Sequence, residues 1–379
     1  MENNKKQRKP KGQYVALVIY LLAGVALGLL MTSGGEMELW QRLLRYAALF
    51  AGVYVAAYLQ IIVHEAGHLV FGLLSGYRFC SFRIASLMLI RQNRRLCFKR
   101  MSLAGTGGQC LMSPPDMKDG HMPFVMYNFG GSLMNLMFTA LMAVVYFILP
   151  QIPVLSDGLL LVIIMGLCIA LTNGIPLRMA NVNNDGHNAI SLGKDAAALK
   201  AFWAQLRINE QTGLGVRLRD MPREWFELPE GADMSNSMTV TMGVFACNKL
   251  MDEGRYDEAD ARMAELLSCG DGLIGIYRSL IVCDRIWCEL MKEGREQVID
   301  DMLDDGQLKF MKAMKKFPSV IRTKYVLALL KDNDEEEARR VSDEFEKVAK
   351  SYPYASDIEG ERNLMLKAKQ KYEEKHAQV

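Results

Sequence analysis

Hydrophobic and polar positions are segregated along this chain rather than mixed. Up to about residue 177 long apolar runs are separated by short polar stretches; beyond it, charges of both signs recur throughout. Four runs are long enough to cross a bilayer as a helix, which takes about 20 apolar residues. Residues 14–31 carry no charge, and residues 46–74 fit apart from the ionisable His64, Glu65 and His68. Residues 124–149 and 159–176 are also uncharged, with Asn128, Asn135 and Asn173 as their polar points. The pattern predicts a mainly α, polytopic membrane protein with four transmembrane helices over about 14–31, 46–74, 124–149 and 159–176.

Between the second and third runs, residues 75–123 are too many for a plain connector. The stretch YRFCSFRIASLMLI (77–90) alternates and is rich in β-branched and aromatic side chains, so a small β-containing loop is expected here. From about Leu192 the pattern turns soluble and helical. Turn-like stretches GRYDEA, GREQVI and NDEEEA recur about forty residues apart, each leading into an amphipathic run. The first and third resemble the middle turn of tetratricopeptide repeats, and the second lacks their alanine. A stack of helical hairpins and an ordinary small helical bundle both fit. The expected division is a basic leader (1–13), a membrane domain (14–190), a linker (191–235) and a helical repeat-like tail (236–379).

Charge orients the runs. The leader carries Lys5, Lys6, Arg8, Lys9 and Lys11, and the loop 75–123 carries eight Lys and Arg against Asp116 and Asp119, whereas the other two loops are short and poor in basic residues. The positive-inside rule then puts both termini and the middle loop in the cytosol of a multi-pass cell-membrane protein, taken to be in a bacterial plasma membrane. The leader is followed by too long an apolar run for a cleaved signal, so the first helix is expected to be retained. A net charge of +2, with its basic residues near the apolar runs, gives no reason to expect a nucleic-acid partner. The eight cysteines form no C-x-x-C pair and read as reduced, small apolar residues rather than a zinc ribbon.

Candidate chemistry lies in the second run. Ionisable residues at membrane depth are expensive and mark function by default. His64-Glu65-Ala66-Gly67-His68 is H-E-x-x-H; on a helix, positions four apart share a face, so both imidazoles can hold one metal with Glu65 beside them. That donor type suits one catalytic Zn2+ per chain, with Glu65 as general base and acid. A catalytic zinc needs a third protein ligand. Asp185, followed by Gly186 and His187 just past the fourth run, is the candidate, with His187 as runner-up. Asn135 and Asn173 are either supporting, substrate-orienting residues or interhelical hydrogen-bond partners.

At this point the chain resembles the site-2 proteases, intramembrane zinc metalloproteases. His64–His68 lies in its second run, Gly131-Ser132-Leu133-Met134-Asn135 in the third, and Asn173-Gly174-Ile175-Pro176 with Asp185-Gly186 closes the fourth. Order and spacing agree over about residues 45–190. The one departure is the run from Pro176 to Asp185, about one helical turn longer than the family's usual spacing. Either the helix ends later or a loop brings Asp185 back. The resemblance implies a zinc endopeptidase that cuts a transmembrane or membrane-associated peptide near the cytosolic side. It assigns metal-binding to His64, His68 and Asp185, catalysis to Glu65, and supporting roles to Asn135, Asn173, Gly131 and Pro176. It also makes the segment holding Gly105, Gly107, Gly108 and Gln109 a place to pair with an extended substrate, the alternative being a plain surface hairpin. Lipid, a membrane-protein or peptide substrate, and a cytosolic protein bound by the tail are the expected partners. The competing function is a catalytically inactive membrane-anchored scaffold acting through its tail.

Overall fold

The computed structural model describes residues 11–32, 37–92, 95–103, 106–150, 152–177, 183–268, 272–273 and 275–377. Four of its helices are long and apolar enough to cross a membrane: α1 (Lys11–Thr32), α2 (Leu39–Leu74), α3 (Val125–Ile148) and α4 (Pro153–Gly174). They pack inside out relative to a water-soluble bundle. Only 11–22% of each apolar window is buried, and large side chains such as Leu22, Val55 and Phe147 point outward. Many of the buried positions are instead polar: Gln60, His64, Glu65, His68, Asn128, Ser132, Asn135 and Thr139. Where α2 meets α3, small residues let the backbones approach: a Cβ on Gly130 would lie 2.7 Å from the Gly67 carbonyl oxygen.

The helices start earlier than the apolar runs, α2 at Leu39 rather than 46 and α4 at Pro153 rather than 159. The charges that end those runs answer one another. Arg45 Nε donates to Asp157 Oδ2 at 2.9 Å and its Nη2 to Asp157 Oδ1 at 3.2 Å, with a further bond from Nη2 to the Leu30 carbonyl of α1 at 3.1 Å. One guanidinium thus ties three helices, and neither charge interrupts its own. With 36 residues, α2 is about 54 Å long, well beyond a hydrocarbon core of about 30 Å. A short helix, α5 (Asp185–Ser191), follows α4.

Residues 75–123 form more sheet than their sequence predicted. β1 (Arg78–Ile84), β2 (Leu87–Gln92), β3 (Arg95–Arg100) and β4 (Gly108–Ser113) make one sheet in the order β3-β2-β1-β4. The 77–90 stretch is two strands, not one: Ala85, at φ 51°, and Ser86 turn the chain so that Ile84 pairs with Leu87. Because paired residues share a face, Ser81, Arg83, Met88, Ile90, Cys97 and Lys99 point one way, and Leu87, Leu89, Arg91, Leu96, Phe98 and Arg100 the other.

The chain divides into two compact units. The first holds Met1–Phe79, Gly107–Cys110 and His121–Asp195; the second holds Cys80–Thr106, Leu111–Gly120 and Ala196–Val379. This corrects the contiguous 14–190 domain, since most of the middle loop belongs with the tail. The reason is apolar burial: Met88, Ile90 and Met101 join the core that includes Val240, Met263, Trp287 and Phe345. Gln92 also donates to the Pro353 carbonyl at 2.8 Å, and the Arg100 amide to Ser351 at 3.0 Å.

The expected linker 191–235 is likewise structured. It holds α6 (Ala196–Gly213), and Ala201, Ile208, Met221 and Phe226 pack there with Met242 and Ala246. Lys249 clamps the following turns, donating to the carbonyls of Leu218, Arg219 and Met221 at 2.8–3.1 Å. The tail continues with α7 (Ser237–Glu253), α8 (Tyr256–Ser268), α9 (Gly275–Met291), α10 (Glu296–Met302), α11 (Asp305–Ala313), α12 (Pro318–Val326) with a π-helical turn at Leu327–Lys331, α13 (Glu335–Ala349) and α14 (Ala355–Ala377). The three turns read from sequence all separate helices, at Gly254 (φ 80°), Gly294 (φ 67°) and Asn333 (φ 54°). The seven described cysteines are free thiols.

Candidate metal centre

Two residues four apart on α2 present their rings to one point. His64 Nε2 and His68 Nε2 are 3.1 Å apart, and Asp185 Oδ2 lies 3.0 Å from the first and 3.3 Å from the second. The ligand atoms of these three residues all lie within 4.8 Å of one another. Both rings are turned by partners on their other nitrogens. His64 Nδ1 is 2.7 Å from Asn135 Oδ1 on α3, and His68 Nδ1 is 2.8 Å from the Tyr127 carbonyl oxygen. The Asn135 amide has no freedom to flip, because its Nδ2 donates to the Gln60 carbonyl (2.9 Å) and to Gln60 Oε1 (2.7 Å). Gln60 in turn donates to the Val162 carbonyl of α4 at 2.9 Å.

These partners accept only, so each ring carries a proton on Nδ1, and a neutral ring then turns its Nε2 lone pair inward. Two lone-pair nitrogens and a carboxylate oxygen then converge. Such a set is repulsive alone and becomes favourable around a cation. Histidine ligands oriented through their second nitrogen are the usual support of a metal. The donor set therefore fits a divalent ion bound by two imidazoles and one carboxylate.

Asp185 arrives by a loop, not by a longer α4. That helix ends at Gly174, and Asn184 then pins the return. Its Oδ1 accepts from the Leu177 amide (3.0 Å) and, as the N-cap of α5, from the His187 amide (2.9 Å). Its Nδ2 donates to Thr172 and Ile175 carbonyls at 2.8 and 2.5 Å. Asp185 follows directly as the first residue of α5. The ring of His187, the runner-up ligand, lies instead with Ser191, 3.2 Å from its Oγ.

Glu65 is buried on the same helix, between the two histidines. Gly108, at the start of β4, faces it so closely that a Cβ there would lie 2.6 Å from Glu65 Oε1. A Cβ on Gly107 would lie 2.9 Å from Ile61 Cδ1, and Gln109 continues the strand; Gly105 lies outside the described residues. Gly131 is the floor beneath His64, where a Cβ would fall 2.5 Å from the ring Cε1. Asn173 takes no part in the cluster: its Nδ2 donates to the Ile169 carbonyl of its own helix at 3.0 Å. Pro176 stands in the connection just past α4.

Sequence reasoning passed over Gln60, Tyr127 and Asn184. Gln60 had a signal, a polar residue one turn before His64 in an apolar run. Asn184 had the position of a helix cap before Asp185. Tyr127 contributes a backbone carbonyl, which no side chain announces. None of the protein-family models, curated proteins or solved structures compared with the chain matches it.

Proposed function

We propose that this chain is an intramembrane zinc endopeptidase, as its resemblance to the site-2 proteases implies. In this reading α1–α4 cross a cell membrane with both termini and the sheet on the cytosolic side, and His64, His68 and Asp185 hold the ion. The observation that carries the reading is the convergence of three electron-pair donors inside helices whose outer faces are apolar. Zinc bound there would supply a water acidified to near neutrality for attack on a peptide carbonyl. Glu65 takes the proton of the attacking water and returns it to the leaving amine. Asn135 and the Tyr127 carbonyl hold the imidazoles in the tautomer that ligation needs. The substrate is a transmembrane or membrane-associated segment, unwound so that its backbone is accessible. β4 lies at the sheet's edge beside Glu65, for which Gly108 leaves room, and is where such a segment would add as a further strand. The tail recruits a substrate or regulator.

The test begins without a substrate. The full chain, purified in detergent, is assayed for bound metal by elemental analysis beside His64→Ala, Asp185→Ala and His187→Ala. The reading expects about one zinc per wild-type chain, its loss in the first two variants, and its retention in the third. A metal-free wild type, under handling that preserves zinc in another metalloprotease, would overturn it.

A further inference from the structure

The sheet has one face the tail covers and one it does not. On the uncovered face Leu87, Leu96 and Phe98 are 53, 61 and 73% exposed. The pairings Leu87–Arg100, Leu89–Phe98 and Arg91–Leu96 set arginines among them, and β3, with Arg95, is an edge strand. From Arg78 to Leu103 the sequence has seven Lys and Arg and no Asp or Glu. Among the described residues Arg91 and Arg100 have no ion pair, whereas most of the tail's arginines, Arg217, Arg322 and Arg362 among them, are paired with carboxylates.

We propose that this face of β2 and β3 is a docking surface for anionic phospholipid, with Leu87, Leu96 and Phe98 entering the acyl boundary and Arg91 and Arg100 binding headgroup phosphates. Apolar side chains that must leave water, ringed by cations lacking carboxylate partners, match the one environment that stacks both demands within a few ångströms, the interface of a negatively charged bilayer. The chain also keeps the sheet near such a surface, for β1 begins four residues after α2 ends. A protein partner would more readily answer the arginines with carboxylates and leave a mixed-charge rim. Edge strand β3 would in that case join another chain. The inference rests on α1–α4 crossing a membrane but not on the metal centre.

The test uses the full chain in lipid nanodiscs, comparing wild type with Phe98→Trp. In discs containing brominated phosphatidylglycerol the added tryptophan emission should be blue-shifted and quenched about twofold or more, with weaker quenching in brominated phosphatidylcholine. Arg91→Gln/Arg100→Gln, combined with Phe98→Trp, should erase the difference between the two lipids. Three results would overturn the proposal. An added emission at water-exposed wavelengths and unquenched by either lipid takes the face off the bilayer. Equal quenching by both lipids removes headgroup recognition. A dimer in the discs that Phe98→Glu dissociates assigns the face to a second copy. Glu65→Gln combined with Phe98→Trp should give the same quenching as Phe98→Trp alone, so failure here leaves the peptidase reading intact, whereas failure of the chain to insert into discs defeats both.

Discussion

Two buried clusters of charged or ionisable side chains, one in each unit of this protein, are built to opposite ends. In the tail, Arg322 is fully buried; its Nε donates to Glu361 at 2.8 Å, its Nη1 to the Cys283 carbonyl at 2.9 Å, and its Nη2 to Asp284. Donors meet acceptors, one cation stands between two carboxylates, and the cluster is complete with the atoms of the chain. Around His64 the reverse holds. On neutral rings every donor hydrogen is used outward, on Asn135 and Tyr127, and what remains points inward as lone pairs. A buried charge cluster that closes on itself joins helices; one that leaves only acceptors converging calls for something from outside. Burial alone does not distinguish the two, but the direction of the protons does.

That comparison can be broken in several places. The largest effect is expected from Glu65→Gln, which should slow cleavage of a membrane substrate by about 10²–10⁴-fold while leaving bound metal unchanged, because it removes a proton carrier and no ligand. Loss of metal together with activity would make Glu65 a ligand and overturn the assigned roles. Next, Arg322→Met should destabilise the tail by about 3–5 kcal/mol by stranding Asp284 and Glu361 without their cation. Thermal unfolding followed through buried Trp287 measures it, and the metal content should not change. A closed cluster that tolerated this substitution would undo the contrast.

Smaller effects sharpen the picture. Asn135→Ala frees the His64 ring to turn, so metal affinity in a chelator competition should fall about 10–100-fold with stoichiometry recoverable at high metal. An unchanged affinity would reduce Asn135 to a helix-packing residue. The smallest concerns Asp357, in the first turn of α14, where burial beside Glu361 and Asp252 pushes its carboxyl up to about 7. The folded tail keeps this proton while the unfolded chain gives it up near 3.8, so this residue's contribution falls as pH rises from about 4 to 7 and is level above. Asp357→Asn should therefore raise Tm by a few degrees at pH 8 and by less at pH 5. A gain larger at pH 5 would reverse the assignment.

How much of this could be read from the residues follows from the range of the interactions involved. The four long helices announce themselves because apolar runs are local, and the H-E-x-x-H face follows from helical geometry alone. Gly254, Gly294 and Asn333 mark turns through their own backbone preferences. Helix starts did not come through, because Arg45 and Asp157 look disruptive until each is known to face the other across 112 positions. The fate of residues 191–235 and of the sheet depended on which distant apolar surface they would cover, and Met88 or Ile208 does not encode its partner. The route of Asp185 hung on one side chain, Asn184, whose four hydrogen bonds replace the extra helical turn that its distance from Pro176 suggested.

The pairing of Arg45 with Asp157 also serves as a ruler. His64 stands 19 positions further along α2, about 28 Å at 1.5 Å per residue, close to the thickness of a hydrocarbon core. If the ion pair marks one boundary with water, the histidines mark the other. The reaction proposed here consumes one water for every bond cut, and at that depth the supply comes from the adjoining aqueous phase rather than through a channel the helices would have to keep open.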